Sequence, residues 1–435
     1  MVVARSVPRR AGGRSPRPSL FPAVIRPGLD RVRHALDRLG HPEESFAAVL
    51  VGGTNGKGSV SAMIESGLRH AGVRTGLYTS PHLIHVQERT QIEGTPVTPS
   101  VWRRVTARVA QVAGSHRLRL TEFEAQTLAA FLVFKDAGVE IAVLEVGLGG
   151  RLDAVNAVAA PELSVITSIG LDHTAWLGPT RRHIYLEKRG IARRGTMLIQ
   201  DIPPSLRAEA RRFSVESGVP TWTLGEEICF SPIAQKNGGD LGHTVRVRCP
   251  GGIQSNVRVP FWGAHQERNT ALAVAALHVL RGRGWPLTER AIVNGLAQAR
   301  WPGRFDVRQR NPPVVLDGAH NPAAARALAE AWASAPWGRQ QATLIFSCLK
   351  DKDAEGIATA LSPVVRRVIV TPLLSDRARP VEELAEVWRR RKPVESAANF
   401  RGAWKKARMD KQAPVLVAGS LYLVGEAMAN LRRPG

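Results

Sequence analysis

FAAVLVGGTNGKGS, residues 46–59, sets an apolar run, a glycine-rich turn and a Lys-Gly-Ser step directly before an amphipathic stretch. The run Phe46 to Val51 has the length and composition of a buried strand, and the residues after Ser59 have a helical pattern. A loop of this kind (Gly53, Thr54, Asn55, Gly56, Lys57, Gly58, Ser59) suits a nucleoside triphosphate. Its glycines let backbone N–H groups close around phosphate oxygens, Lys57 adds a positive charge, and the helix start adds its positive end. The spacing is not that of the common phosphate loop. Val51 stands where that motif has its first glycine, and Gly58 separates Lys57 from the hydroxyl of Ser59. An isolated glycine cluster would be merely a tight corner; the strand, lysine and serine together point to nucleotide binding.

Outward from the loop, the order strand then helix repeats. Apolar strands are readable at Phe46–Val51, Arg74–Tyr78, Ile141–Glu145 and Leu163–Ile169, with a helical pattern over Glu122–Asp136. Such alternation predicts an α/β domain, a parallel sheet covered on both faces. Near 222–262 the texture changes to period two, with Val245, Val247, Val257 and Val259 around Pro250-Gly251-Gly252, which predicts a small antiparallel hairpin insertion. After the turn-rich Trp301-Pro302-Gly303 a second α/β series begins. Its predicted strands are Val314–Leu316, Thr343–Phe346, Val368–Val370 and Val415–Val417, with helices at Pro322–Trp332 and Val381–Arg390. The expected division is a basic disordered tail at 1–25, a P-loop domain at 26–298 and a second domain at 299–435.

Composition narrows the class. With 435 residues, 44% hydrophobic and 22% charged, the chain suits a globular protein of two to three domains. No apolar run approaches the roughly 20 residues of a membrane-spanning helix. The net charge of +23 raises a nucleic-acid-binding P-loop protein as an alternative. Its arginines are scattered, however, and aromatics at 6% do not interleave with them as a base-stacking platform would. Cys229, Cys249 and Cys348 have no metal-ligand spacing and fit a reducing cytoplasm. The first 29 residues carry arginines and no acidic side chain, as an organellar transit segment does, but Pro and Gly make them a poor amphipathic helix, and the lack of an apolar core segment argues against secretion.

Polar residues stand at the carboxyl ends of several predicted strands, where open α/β sheets bind ligands. Ser80 follows one, Glu145 ends another, and Asp172 and His173 follow a third. Singly these are a turn cap, a solvated acid and a structural histidine. Together beside a phosphate loop they suit Mg²⁺, which bridges protein oxygens and nucleotide phosphates.

The motifs Gly53–Ser59, Thr79-Ser80-Pro81-His82-Leu83, Thr121–Glu124, Leu144–Asp153, Thr167–Thr174, Glu187-Lys188, His265-Gln266 with Asn269, Trp301–Arg304 and Asp317–Pro322 occur in one order. In these, the chain resembles the folylpolyglutamate synthase/dihydrofolate synthase family, the folate branch of the Mur-type ligases, from about Arg26 to Leu423. The resemblance implies a Mur-ligase central-domain-like P-loop domain followed by a smaller Rossmann-like one. It implies an ATP-dependent ligase that adds L-glutamate to folates, and to dihydropteroate, through an acyl phosphate; a cell-wall precursor ligase is the same-class alternative. It further implies that Asn269, Arg304 and Asp317 contact ATP with the loop. Ser80 and Glu145 would hold one Mg²⁺ and His173 a second, Lys188 would be carbamylated, and His320 would face the reaction centre. Thr121, Asp153, Ile25, Arg26 and Pro27 would lie near the pterin-bearing substrate. Pro27, where relatives carry leucine, and Val155, in place of a threonine before Asn156, depart from the pattern in that pocket. A cytoplasmic monomer acting on small molecules, without nucleic acid or membrane, completes the expectation.

Overall fold

The computed structural model describes residues 21–233 and 243–431. Of the basic tail expected at 1–25, positions 1–20 therefore lie outside the described residues. The largest sheet comprises β1 (Ala47–Gly52), β2 (Thr75–Tyr78), β3 (Thr90–Ile92), β4 (Thr95–Pro96), β5 (Ile141–Glu145), β6 (Leu163–Ile166), β7 (Met197–Gln200) and β8 (Thr221–Thr223). Their order is β4-β3-β2-β5-β1-β6-β7-β8. β1 lies between β5 and β6 and is parallel to both, with Val51 opposite Glu145 on one side and Val165 on the other. Successive side chains of a strand point to opposite faces. Ala48 and Leu50 accordingly pack with Phe131 and Phe134 of helix Glu122–Asp136, while Val49 and Val51 pack with Val60 and Ile64 of helix Lys57–His70. Burial on both faces is why β1 reads as an unbroken apolar run.

The sheet is not parallel throughout. β3 runs antiparallel to β2, and β4 antiparallel to β3. The segment joining β2 to β3 carries only the short 3₁₀ turn Val86–Arg89, whereas a parallel return requires a long crossover. β6 also ends earlier than its apolar run suggests. Beyond Ile166 the chain leaves the sheet because Thr167 and Ser168 hydrogen-bond the glycine loop instead.

The predicted hairpin is present as β10 (Thr244–Cys249) and β11 (Ile253–Arg258), and it gains a third antiparallel strand, β9 (Cys229–Ile233). Trp222 and Thr223, which fell inside the expected insertion, belong to the main sheet as part of β8. The third sheet comprises β12 (Asp306–Arg310), β13 (Pro313–Leu316), β14 (Ala342–Phe346), β15 (Val365–Val370), β16 (Val394–Ser396) and β17 (Val415–Ala418), in the order β12-β13-β17-β14-β15-β16. Only β12 pairs antiparallel. Helices Pro322–Ser334, Ala354–Leu361 and Val381–Arg389 cover one face through Leu328, Ile357 and Trp388; Phe400–Ala407 and Leu421–Leu431 cover the other through Phe400 and Leu423. The segments leaving the carboxyl ends of β1, β2, β5 and β6 meet those leaving β13, β14 and β17 at two adjoining cavities.

Candidate active site

The glycine loop is shaped by contacts that exclude side chains. Gly53 has φ +142°, and a Cβ there would lie 2.0 Å from Thr167 Oγ1; Gly56 has φ +88°, and its Cβ would lie 2.5 Å from Asn269 Oδ1. The loop is tied to the β6 end: Thr54 N–H donates to the Ser168 carbonyl at 2.8 Å, Asn55 N–H to Ser168 Oγ at 3.0 Å, and Thr167 Oγ1 to the Asn55 carbonyl at 2.6 Å. Lys57 opens the helix and bends back over the loop, its Nζ donating to the carbonyls of Gly53 at 3.1 Å and Thr54 at 3.3 Å. The helix start, a primary amine and the loop backbone thus converge in one place.

Glu145, at the end of β5, is buried and accepts from the Ser80 backbone N–H at 3.1 Å. Burial raises its pKa above the ordinary value, against the opposing charges of Lys57, Arg304 and Arg89. A buried carboxylate with this sparse donor set matches a cation site. His173, in a left-handed conformation at φ 51°, follows Asp172, and burial lowers its pKa. Asp172 is a hub. Its Oδ1 accepts from Lys352 Nζ at 2.9 Å and its Oδ2 from Asn321 Nδ2 at 3.2 Å, while Asn321 Nδ2 also reaches Asn55 Oδ1 at 3.0 Å. One carboxylate therefore ties the segment after β6 to two segments of the third sheet, and Asn321 carries the connection on to the glycine loop. Burial opposes ionisation of Asp172, yet Lys352 and the two neighbouring histidines hold its pKa well below the usual range.

Lys188 is not the surface lysine that Glu187-Lys188-Arg189 resembles. It is buried, donates to the Gly53 carbonyl at 2.8 Å, and has its pKa lowered to about 7 by desolvation and by Lys57. His320 Nδ1 meets the Gly318 carbonyl at 2.8 Å. Burial, with Lys352 nearby, pushes the His320 pKa down to about 4, so the ring is neutral at pH 7. With Nδ1 donating to that carbonyl, Nε2 carries the lone pair.

The cavity under the glycine loop, about 380 Å³, is lined by residues 53–59 together with Glu145, Lys188, Asn269, Arg304 and Asp317. The second, about 370 Å³, is lined by Ile25, Arg26, Pro27, Thr121 and Asp153. Ser80, His173 and His320 line both. The structure thus brings every predicted site residue to one of two adjoining spaces. Several of them, Glu145 and Thr54 included, have carboxylate or hydroxyl groups already engaged by the backbone. Thr121 caps helix Glu122–Asp136 in a reciprocal box with Glu124. Asp153 accepts from Leu148 N–H at 2.8 Å and Val155 N–H at 3.1 Å, and Asp317 from Phe305 N–H at 2.7 Å and Ala319 N–H at 2.8 Å. Val155 is fully buried in the core and does not line the cavity, so that departure falls outside the pocket; Pro27 lines it. Lys352, Arg89, Arg377 and Trp176 also line the second cavity and were not expected. A signal existed for Lys352 alone, which follows the end of β14. Among the described residues, the one cluster of three His, Cys, Asp or Glu groups close enough to share an ion is His41, Glu43 and Glu44, outside both cavities.

Comparison with known proteins agrees with this architecture. Residues 51–277 match the Mur ligase middle domain, and residues 303–421 match the Mur ligase, glutamate ligase domain. The dihydrofolate synthase/folylpolyglutamate synthase of Escherichia coli is 36% identical over 96% of this chain and 94% of its own length. That of Bacillus subtilis is 31% identical over 94% and 96%. The probable bifunctional folylpolyglutamate synthase/dihydropteroate synthase of Haloferax volcanii is 35% identical over 94% of this chain, which spans about half (49%) of that longer protein. Among solved structures, E. coli FolC in complex with DHPP and ADP superposes with TM-score 0.83 at 34% identity, covering 94% of each chain. The bifunctional enzyme from Yersinia pestis complexed with AMPPNP and Mn ion gives 0.82 at 34%, again with 94% of each covered.

Two Mur ligase domains, with the glycine loop between their converging sheets, define an ATP-type ligase architecture. The chain belongs to the folylpolyglutamate synthase/dihydrofolate synthase family.

Proposed function

We propose that the chain is an ATP-dependent acid–amino-acid ligase that joins L-glutamate to folates and to dihydropteroate. The observation that carries this reading is the wall shared by the two cavities. A nucleotide on the loop and a carboxylate substrate in the second cavity would meet at Ser80, His173 and His320. The substrate carboxylate oxygen attacks the γ-phosphorus, the bond to ADP breaks, and an acyl phosphate forms. The glutamate nitrogen then attacks the acyl carbon, phosphate leaves, and the nitrogen loses a proton. Phosphoryl transfer of this kind rests on positioning and charge neutralisation. The loop amides and Lys57 supply both, with Asn269, Arg304 and Asp317 on the nucleotide's other side. His320, neutral at pH 7, would face the reaction centre with its Nε2 lone pair free to accept a hydrogen bond from the glutamate amine.

Magnesium would be held by Ser80 and Glu145, with a second ion at His173, and supplies charge neutralisation at phosphate oxygens when bound. The raised pKa of buried Glu145 fits that role, because a cation restores the ionised form. Glu145→Gln should therefore shift the Mg²⁺ titration of ADP release to at least tenfold higher concentration or eliminate release, the usual scale of a lost ligand contact. An unchanged titration would remove Glu145 from the metal site. Lys188 meets the chemical requirement for a carbamate. Its neutral amine attacks CO₂, an N–C bond forms and a proton leaves, turning a cation into a carboxylate beside Gly53.

We place the two working units at 26–298 and 299–435, in a cytoplasmic monomer that engages neither nucleic acid nor membrane. All three cysteines are unpaired, as a reducing compartment would keep them. The test is ADP release by purified protein with L-glutamate and, in parallel, dihydropteroate or tetrahydrofolate. Glutamate-dependent release with both supports the bifunctional reading, release with one restricts it to a single activity, and release with neither refutes it.

A further inference from the structure

Seven large hydrophobic residues are strongly exposed among the described ones: Val24, Ile25, Leu171, Trp176, Val215, Leu374 and Met409. Three of them, Val24 at 45%, Ile25 at 41% and Trp176 at 51%, line the substrate-side cavity, and Leu171 stands in the segment leading to Trp176. Scattered exposed apolar side chains need no explanation, but their concentration at one cavity marks a contact surface.

Trp176 stands on an anchored stretch of backbone. It lies in the one-turn helix Thr174–Leu177, next to Leu177, which is buried in the core and would touch a Cβ on Gly149 at 3.0 Å. Its backbone N–H donates to the carbonyl of His173 at 2.9 Å, which ties it to the wall shared by the two cavities. Among the described residues no aromatic ring or guanidinium stacks on its indole. A half-exposed indole on a cavity wall, with no ring partner among the described residues, offers aromatic surface to a planar ligand.

We infer that Trp176 stacks on the planar ring system of the acyl donor and, with Val24 and Ile25, sets the cavity's affinity for aromatic carboxylic acids. Only the identity of that donor rests on the ligase reading above; the indole and its apolar neighbours do not. The cavity volume of about 370 Å³ lies within the roughly 300–1,000 Å³ of small-molecule sites.

Two readouts test this. The first is tryptophan emission of nucleotide-free protein titrated with dihydropteroate; the second is the split between KM and kcat. Wild-type emission should be quenched, and Trp176→Phe should lose most of that quench although nine of the chain's 10 tryptophans remain. Trp176→Ala should raise KM for dihydropteroate roughly tenfold, the scale of one lost aromatic contact plus its apolar area, and Trp176→Phe should restore most of the affinity. KM for ATP should not follow. A Trp176→Ala protein with wild-type KM, or a Trp176→Phe protein with the wild-type quench, would overturn the inference. If wild-type protein shows the quench but no glutamate-dependent ADP release, the ligase reading fails while the stacking stands. A wild-type protein that shows no quench overturns the stacking whatever its turnover.

Discussion

Replacing Lys57 by alanine is expected to lower glutamate-dependent ADP release by about 10²–10³-fold or more, the usual consequence of removing one preorganised donor to a developing charge. The amine sits at the first position of helix Lys57–His70, and among the described residues it donates to the loop carbonyls of Gly53 and Thr54. Those contacts pre-position the charge, which bound phosphate oxygens would take over. Losing two partly exposed hydrogen bonds to carbonyls should change folding stability by only about 1–3 kcal/mol. Activity and folding should therefore separate: a cooperative melt near that of the wild type, with turnover nearly abolished. A Lys57→Ala protein that retained turnover would remove the loop from the chemistry.

Lys188→Ala is expected to lose activity by about 10–100-fold, the usual cost of removing a group that supports a metal or orients its ligands. Part of the loss should return when a small carboxylic acid such as acetate is added, because the carboxylate can occupy the space of the carbamate. The wild-type protein should also respond to pH with a defined sign. An ordinary lysine is almost wholly ammonium at pH 7 and does not attack CO₂. With its pKa lowered to about 7, the neutral fraction of Lys188 grows as pH rises through that value and vanishes as pH falls below it. At limiting CO₂, activity should accordingly fall off on the acid side of about pH 7 and recover with added bicarbonate above it. An unimpaired Lys188→Ala enzyme would end the carbamate account.

The sequence carried the fold where burial leaves a one-dimensional trace. β1, β5 and the start of β6 are covered on both faces, so they read as apolar runs, and the polar residues that follow mark the ends that open on the two cavities. β3 and β12 left no such trace. Thr90-Gln-Ile92, between β4 and β2, and Asp306–Arg310, at a sheet edge, are short, polar strands whose pairing depends on a neighbour already in place. The site was legible as a set of residues but not as a set of states. Nothing in Glu187-Lys188-Arg189 announces a buried amine; its partner Gly53 belongs to a loop 135 positions away in the chain. The Asp172–Lys352 pair likewise spans 180 positions. Asp153, Asp317 and Thr121 were legible as polar residues beside ligands, yet the backbone amides that occupy them are visible only in three dimensions.

The central claim is that one carboxylate crosses from the substrate cavity to the nucleotide phosphate and is activated there. Its most direct measurement uses dihydropteroate labelled with ¹⁸O in the carboxyl group, together with ATP and L-glutamate, followed by mass analysis of the released phosphate. Acyl-phosphate chemistry predicts one labelled oxygen transferred to phosphate for each amide bond formed. Amide formation that left the phosphate unlabelled would contradict the account.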